Sequence, residues 1–228
     1  MTTVKNFFDK FSEQYEVQSR YRHTLYKWII NTIFRNINKK KCSILDLGTG
    51  NGELGIRLAI KFPESEIVGL DISSGMINQA KKKVKKIGIK NIKFVVSKME
   101  KLNVKKVDFA VSSVALHHIK NKELVLSKIY QILPIGGKLI IGDWFVPSEE
   151  YQKQVDILIK KNLERARKFE DSWKQLRDGM TKGYKKKHPK EYPVCPSSLK
   201  EIMKSVGFSK ARIVKCPLSK FAVVIGEK

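Results

Sequence analysis

The sequence predicts an α/β fold: a doubly wound, mostly parallel sheet with helices on both faces, forming one domain over residues 1–228. Three observations carry this. Ile44 to Gly55, ILDLGTGNGELG, passes from a short apolar run through closely spaced glycines into a helix-like pattern. A second apolar run, Glu66 to Asp71, ends in an acid 19 residues past Gly52. Short apolar runs then keep alternating with helical patterns as far as Gly142.

Residues 4–38 read as helices, because Phe7, Phe8, Phe11 and Tyr15, then Leu25, Trp28, Ile29, Ile33 and Phe34, recur at three and four residues. Ile44 to Leu47 is the first strand. Gly48, Gly50 and Gly52 make a tight loop in which positive φ is accessible and the main chain lies bare, and Leu54, Ile56, Leu58 and Ala59 open a helix. The free N–H groups at that helix start face whatever the loop binds. Pro63 ends the helix, and Glu66 to Asp71 is the second strand. Ser73 or Ser74 caps the next helix, whose face carries Met76, Ile77, Ala80, Val84 and Ile87 before Gly88 ends it. Its lysines, Lys81 to Lys86, form a solvated face.

Ile92 to Val96 and Val107 to Ser112 supply strands three and four, and Lys138 to Gly142 the fifth after a helix over 121–133. A long charged helix is expected from Pro147 to about Arg177, followed by a loop to Pro196. Ser197 is expected to cap a short helix ended by Gly207, and Ala211 to Lys215 and Phe221 to Ile225 complete the sheet.

The glycines alone leave the ligand open. Gly50, Gly52 and Gly55 meet the G-x-G-x-x-G spacing of a dinucleotide site, which keeps a nicotinamide enzyme in view. Asp46, two residues before the first glycine, would repel a pyrophosphate but suits a ligand bearing an ammonium and a sulfonium. Asp71 can accept hydrogen bonds from ribose hydroxyls in either case. Asp46 with its glycines resembles the first motif of the class I S-adenosylmethionine-dependent methyltransferases. The likeness extends through LPIGGKLIIGDW and the helix-strand-strand ending with Val-Gly-Phe.

That resemblance implies a Rossmann-like seven-stranded sheet with an antiparallel C-terminal edge strand, and S-adenosyl-L-methionine as cofactor with S-adenosyl-L-homocysteine as product. It assigns the methionine end to Asp46, Gly48, Thr49, Gly50 and Gly52, the ribose to Asp71, and the adenine to Ile72 and Met99, with Met76 and Ser113 also at the cofactor. The family usually places an acid on the adenine amino group where this chain has Lys98, so the main chain of Lys98 and Met99 would hold the base. Residues 1–42 would form a helical lid, with Tyr15, followed by Arg20 and Tyr21, folding over the cofactor. Residues 146–196 would be a helical insertion over the substrate.

The loop after strand four, Ser113 to Ile119, lies beyond the carboxyl ends of the strands, where the crevice of such a sheet opens. Its Leu-His-His run is similar to that of methyltransferases of small metabolites, including the quinone-ring group. His117 or His118 suits a general base at neutral pH, or else packs and caps. Asp143 and Trp144, at the end of strand five, are candidate substrate contacts. No Asn-Pro-Pro-Tyr loop or nucleophilic cysteine is present for nucleobase chemistry.

Net charge is +24, with a surplus of 15 over residues 1–142 and 9 over residues 143–228, nearly equal per residue. Of 46 basic residues 38 are Lys, whereas Arg favours bidentate phosphate contacts. RNA contact is therefore open but not favoured, even at the Lys182 to Lys190 cluster with Tyr184 and His188. Cys42, Cys195 and Cys216 have no metal-ligand spacing, so no metal site is expected and a reducing, cytoplasmic location is. Neither a signal peptide nor a membrane span is expected. The expected activity is methyl transfer to a small metabolite by a monomer or homodimer. The competing readings are a carboxy-S-adenosylmethionine synthase-like enzyme, a tRNA or RNA methyltransferase, and a non-catalytic nucleotide-binding module.

Overall fold

The computed structural model describes residues 3–18, 23–146, 148–167, 171, 189–217, 219 and 221–228. Seven strands form one sheet: β1 (Ser43–Leu47), β2 (Glu66–Asp71), β3 (Ile92–Val96), β4 (Phe109–Ser113), β5 (Lys138–Trp144), β6 (Lys210–Lys215) and β7 (Phe221–Glu227). Their order is β3-β2-β1-β4-β5-β7-β6. Neighbours among β1 to β5 pair in parallel, while β7 runs antiparallel to both β5 and β6. The antiparallel C-terminal edge is thus built as a hairpin, with β7 against β5 and β6 outermost.

Parallel central strands are covered on both faces, so they read as continuous apolar runs. Ile44, Leu45 and Leu47 of β1 are fully buried. Alternate residues point to opposite faces: Ile44, Ile67 and Val111 pack with α2 (His23–Asn36) and α3 (Glu53–Lys61), and Leu45, Leu70 and Ala110 pack with α5 (Lys122–Ile132) and α7 (Pro196–Val206). Burial of β1's three side chains contributes of order 5 kcal/mol, enough to offset the cost of carrying the carboxyl of Asp46 into the same strand. Helix α2 lies close on β5: a Cβ at Gly142 would come within 2.4 Å of Ile29 Cγ2.

The remaining helices are α1 (Val4–Gln18), α4 (Ser74–Ile87) and α6 (Glu149–Lys161). Ser73 is the cap of α4, its Oγ accepting from Met76 N at 3.1 Å, and Gly88 closes the other end at φ 75°. The long helix expected from Pro147 to Arg177 is interrupted. Helix α6 ends at Lys161, Asn162 leaves helical geometry at φ −128°, and helical turns resume over 163–167. On α6 only Tyr151 and Val155 are buried, and Leu163, just past the break, is exposed. Helix α7 begins at Pro196 with Cys195 as its cap, two residues before the expected Ser197, because Pro fits the first helical position, where no N–H is needed.

Candidate active site

The carboxyl ends of β1, β2 and β4 open on a cavity of about 1200 Å³. Asp46, Gly48, Thr49 and Gly50 line it from the first loop, Asp71, Ile72 and Met76 from the second, Lys98 and Met99 from the third, and Ser113 from the fourth. Helices α1 and α2 add Phe8, Tyr26 and Asn31, which nothing local in the sequence marks as site residues.

Asp46 is buried, and its Oδ2 accepts a 2.6 Å hydrogen bond from Thr49 Oγ1. Burial pushes its pKa up to about 7, reinforced by the nearby Asp71 carboxyl and opposed by the Thr49 hydrogen bond. Its Oδ1 is buried without a hydrogen-bond partner, as is Ser113 Oγ. Orphaned buried acceptors are costly, and these two line one cavity.

The loop between them is tied to β2. Gly48 N and Thr49 N both donate to Leu70 O, at 2.8 and 2.9 Å. Gly48 sits at φ 69°, where a Cβ would collide with Ala115 Cβ at 2.4 Å. Gly50, at φ 55°, faces open space, and a Cβ placed there would meet nothing within 4 Å. Gly52 does not line the cavity; at φ 85° it caps α3 and accepts from Ile56 N at 2.8 Å.

Asp71 Oδ2 accepts from Gly50 N at 2.8 Å and Oδ1 from Ser73 N at 2.9 Å. These bonds fix the carboxylate while leaving a second lone pair on each oxygen. Burial raises its pKa, opposed by the same backbone bonds. Lys98 precedes a 3-10 turn, Met99–Lys101.

Beyond β4, Val114 adopts φ 54°. A β-branched residue in the left-handed region costs about 1–3 kcal/mol and persists only where its surroundings impose it; here Val114 N is held by Gly142 O at 2.8 Å. The turn delivers His118 to the cavity wall and His117 behind it. His117 Nδ1 lies 2.8 Å from Asp143 Oδ1, and its backbone N donates to Asp143 Oδ2 at 3.0 Å. Asp143 also accepts from Trp144 N at 2.8 Å, and the Trp144 ring lies 5.4 Å from that of His117. Asp143 and Trp144 therefore stand behind the histidine loop and do not line the cavity, unlike the substrate contacts expected of them.

Two further residues escape sequence reading. Lys122, buried, donates from Nζ to Ile119 O at 2.7 Å and to Tyr192 O, and Tyr192 N donates to His117 O at 2.7 Å. Burial lowers the pKa of Lys122, opposed by Asp143. These bonds bring Glu191 Oε1 to 3.9 Å from His117 Nε2. Tyr15 lies in α1, but its side chain is outside the described residues, as are Arg20, Tyr21, Tyr184 and His188.

The chain matches a family model for methyltransferase domains over residues 38–190. It is similar to a malonyl-[acyl-carrier protein] O-methyltransferase of Priestia megaterium, 35% identical over 36% of this chain and 30% of that protein, so less than a third of that relative's length is matched. A demethylmenaquinone methyltransferase of Bacteroides fragilis is 27% identical over 69% of this chain and 66% of that protein. A solved structure of a putative S-adenosyl-L-methionine-dependent methyltransferase from Methanococcus maripaludis superposes with a TM-score of 0.68 at 21% identity, covering 100% of this chain and 96% of that one, which shows the fold. Orphaned acceptors at Asp46 and Ser113 beside bare glycine backbone fit a cationic, polar nucleoside cofactor, and the family match covers most of the chain. The chain belongs to the methyltransferase domain family, in its class I S-adenosylmethionine-dependent form.

Proposed function

We propose that the protein transfers a methyl group from S-adenosylmethionine to an oxygen, nitrogen or carbon nucleophile of a small metabolite. The observation that carries this is the cavity itself. At about 1200 Å³ it exceeds the roughly 300–1,000 Å³ of a single small-molecule site, which leaves room for a second small molecule beside the cofactor. The likeness to a demethylmenaquinone methyltransferase over most of the chain supports the same class of acceptor.

When bound, S-adenosylmethionine supplies an electrophilic methyl on sulfur. This chain's residues position and enclose. Asp46 and the Gly48 to Asn51 main chain hold the methionine end, Asp71 the ribose, and Ile72 and Met99 flank the adenine, with Lys98 contributing backbone. Ser113 and Met76 complete the pocket. In-line displacement needs a nucleophile held near 3 Å and aligned more than it needs acid or base. His118, on the wall, is the residue placed to accept a proton from an acceptor that must lose one. Helices α1 and α2 act as the lid, since both line the cavity; the roof expected of residues 146–196 lies partly outside the described residues, and none of those described there lines it. No helix among the described residues is long and apolar enough to cross a membrane; action in the cytoplasm is part of this reading.

A methyl-acceptor screen with labelled cofactor tests this. Labelled small-molecule product is expected. Labelling confined to transfer RNA in a salt-sensitive reaction, or none with any acceptor, would overturn it.

A further inference from the structure

We propose that His117, His118 and Glu191 form a site for a divalent transition cation of the zinc type, at the wall of the acceptor cavity. Each offers one ligand atom, and the three atoms lie within 4.8 Å of one another. A tetrahedral zinc site with bonds near 2.0–2.1 Å sets its ligands about 3.3 Å apart. The 3.9 Å between His117 Nε2 and Glu191 Oε1 needs only a small closure, and turning the Glu191 side chain supplies it.

Three features make this more than a chance cluster. Asp143 Oδ1 holds His117 Nδ1 at 2.8 Å, and since a carboxylate accepts, the proton resides on Nδ1 and the Nε2 lone pair is directed at Glu191. A carboxylate behind a histidine is the arrangement that fixes tautomer and ring plane for metal ligation. Glu191 comes from a segment distant in sequence, yet its neighbour Tyr192 is tied to both sides of the histidine loop, by Tyr192 N to His117 O and by Lys122 Nζ to Tyr192 O. Finally, His117 is buried while His118 faces the cavity, so the fourth position of an N,N,O site opens towards it. The expectation of no metal rested on cysteine spacing, and this site uses no cysteine. Resting on the function proposed above, the cation would take an oxygen of the acceptor as its fourth ligand and ease its loss of a proton, so that in the loaded protein His118 would be a ligand and the general-base role given to it above would belong to the cation-free protein; this favours acceptors bearing a hydroxyl or carboxylate near the methylated atom.

The whole chain, stripped with chelator, is dialysed against zinc and separately titrated with cobalt(II). One equivalent of retained zinc and the visible bands of tetrahedral cobalt are expected, with retention lost in Glu191→Gln and affinity lowered about 10- to 100-fold in Asp143→Asn. Glu191 is only partly buried, so its variant should keep the wild-type melting profile. No retained zinc, or equal retention by Glu191→Gln, would overturn the site. Calorimetry with S-adenosylhomocysteine on the same samples separates the two readings: binding without zinc removes the cation alone, and zinc without binding removes the methyl-transfer assignment alone.

Discussion

Asp9 Oδ1 accepts a 2.6 Å hydrogen bond from Ser73 Oγ, joining the first helix to the cap of α4, 64 residues away. The same oxygen accepts from Gly75 N at 3.0 Å. Ser73 in turn donates its backbone N to Asp71, so one chain of bonds runs from the N-terminal helix to the carboxylate assigned to the ribose.

Asp9→Ala should therefore loosen α1 over the cavity. Loss of a carboxylate at a helix start costs about 1 kcal/mol, read by chemical denaturation, with faster amide exchange in α1 and weaker S-adenosylhomocysteine binding. Desolvation opposes ionisation of Asp9, but hydrogen bonds from Lys5, Ser73 and Gly75 outweigh it and hold the pKa down to about 2. A depressed carboxyl stabilises above its unfolded pKa near 4 and loses that contribution as pH falls through about 2. The clamp should accordingly stay closed at any pH used for assay.

Asp46 has the opposite sign. Burial lifts it to about 7, so the folded chain keeps a proton that the unfolded chain releases near pH 4. Its contribution to stability is largest below about pH 4 and is lost as pH rises to about 7. A cationic ligand needs the ionised form. Affinity for S-adenosylmethionine should thus weaken by up to about tenfold per pH unit below 7 and level off above it. Asp46→Asn should bind weakly with a flat profile, and a wild-type profile equally flat between pH 5.5 and 8.5 would remove Asp46 from the cofactor's charge.

Gly48 and Gly50 separate folding from binding. Gly48→Ala drives a Cβ into Ala115 at 2.4 Å and should cost about 1–3 kcal/mol of stability as well as cofactor binding. Gly50→Ala meets nothing within 4 Å, so only its positive φ is penalised, by about 1–2 kcal/mol, while its methyl is added at a residue that lines the cavity proposed for the cofactor. Paired melting and calorimetry should show the larger stability loss at Gly48 and a binding loss of at least about tenfold at Gly50.

These residues were legible in the sequence because their demands are local. A glycine at positive φ, an acid at a strand end and a serine before an amphipathic run are each specified by near neighbours. Asp9, Lys122 and Glu191 were not, because what defines each is a partner brought in by the fold: Ser73 for Asp9, Tyr192 for Lys122, His117 for Glu191. Asp143 was found as a strand-end acid but given the wrong neighbour. Strand position places it near the crevice, yet the turn at Val114 folds His117 over it. The interruption at Asn162 was hidden because apolar spacing continues across it, although among residues 163–167 only Ala166 is buried.

The two histidines should respond differently, since one is held and the other presented. In His117→Ala the buried Asp143 loses the ring N–H at 2.8 Å and keeps only the backbone donors of residues 117 and 144, a loss of about 1–3 kcal/mol. That variant should fall in melting temperature and lose activity with its fold. His118 lines the cavity, with the Phe8 ring 5.4 Å away on α1. His118→Gln should keep its melting temperature to within a few degrees while kcat falls about 100-fold or more if proton transfer limits the reaction. The split of kcat from KM discriminates: kcat should fall with KM little changed. If stability rather than kcat drops in that variant, or KM rises while kcat holds, His118 belongs to the wall and the acceptor must shed its proton elsewhere.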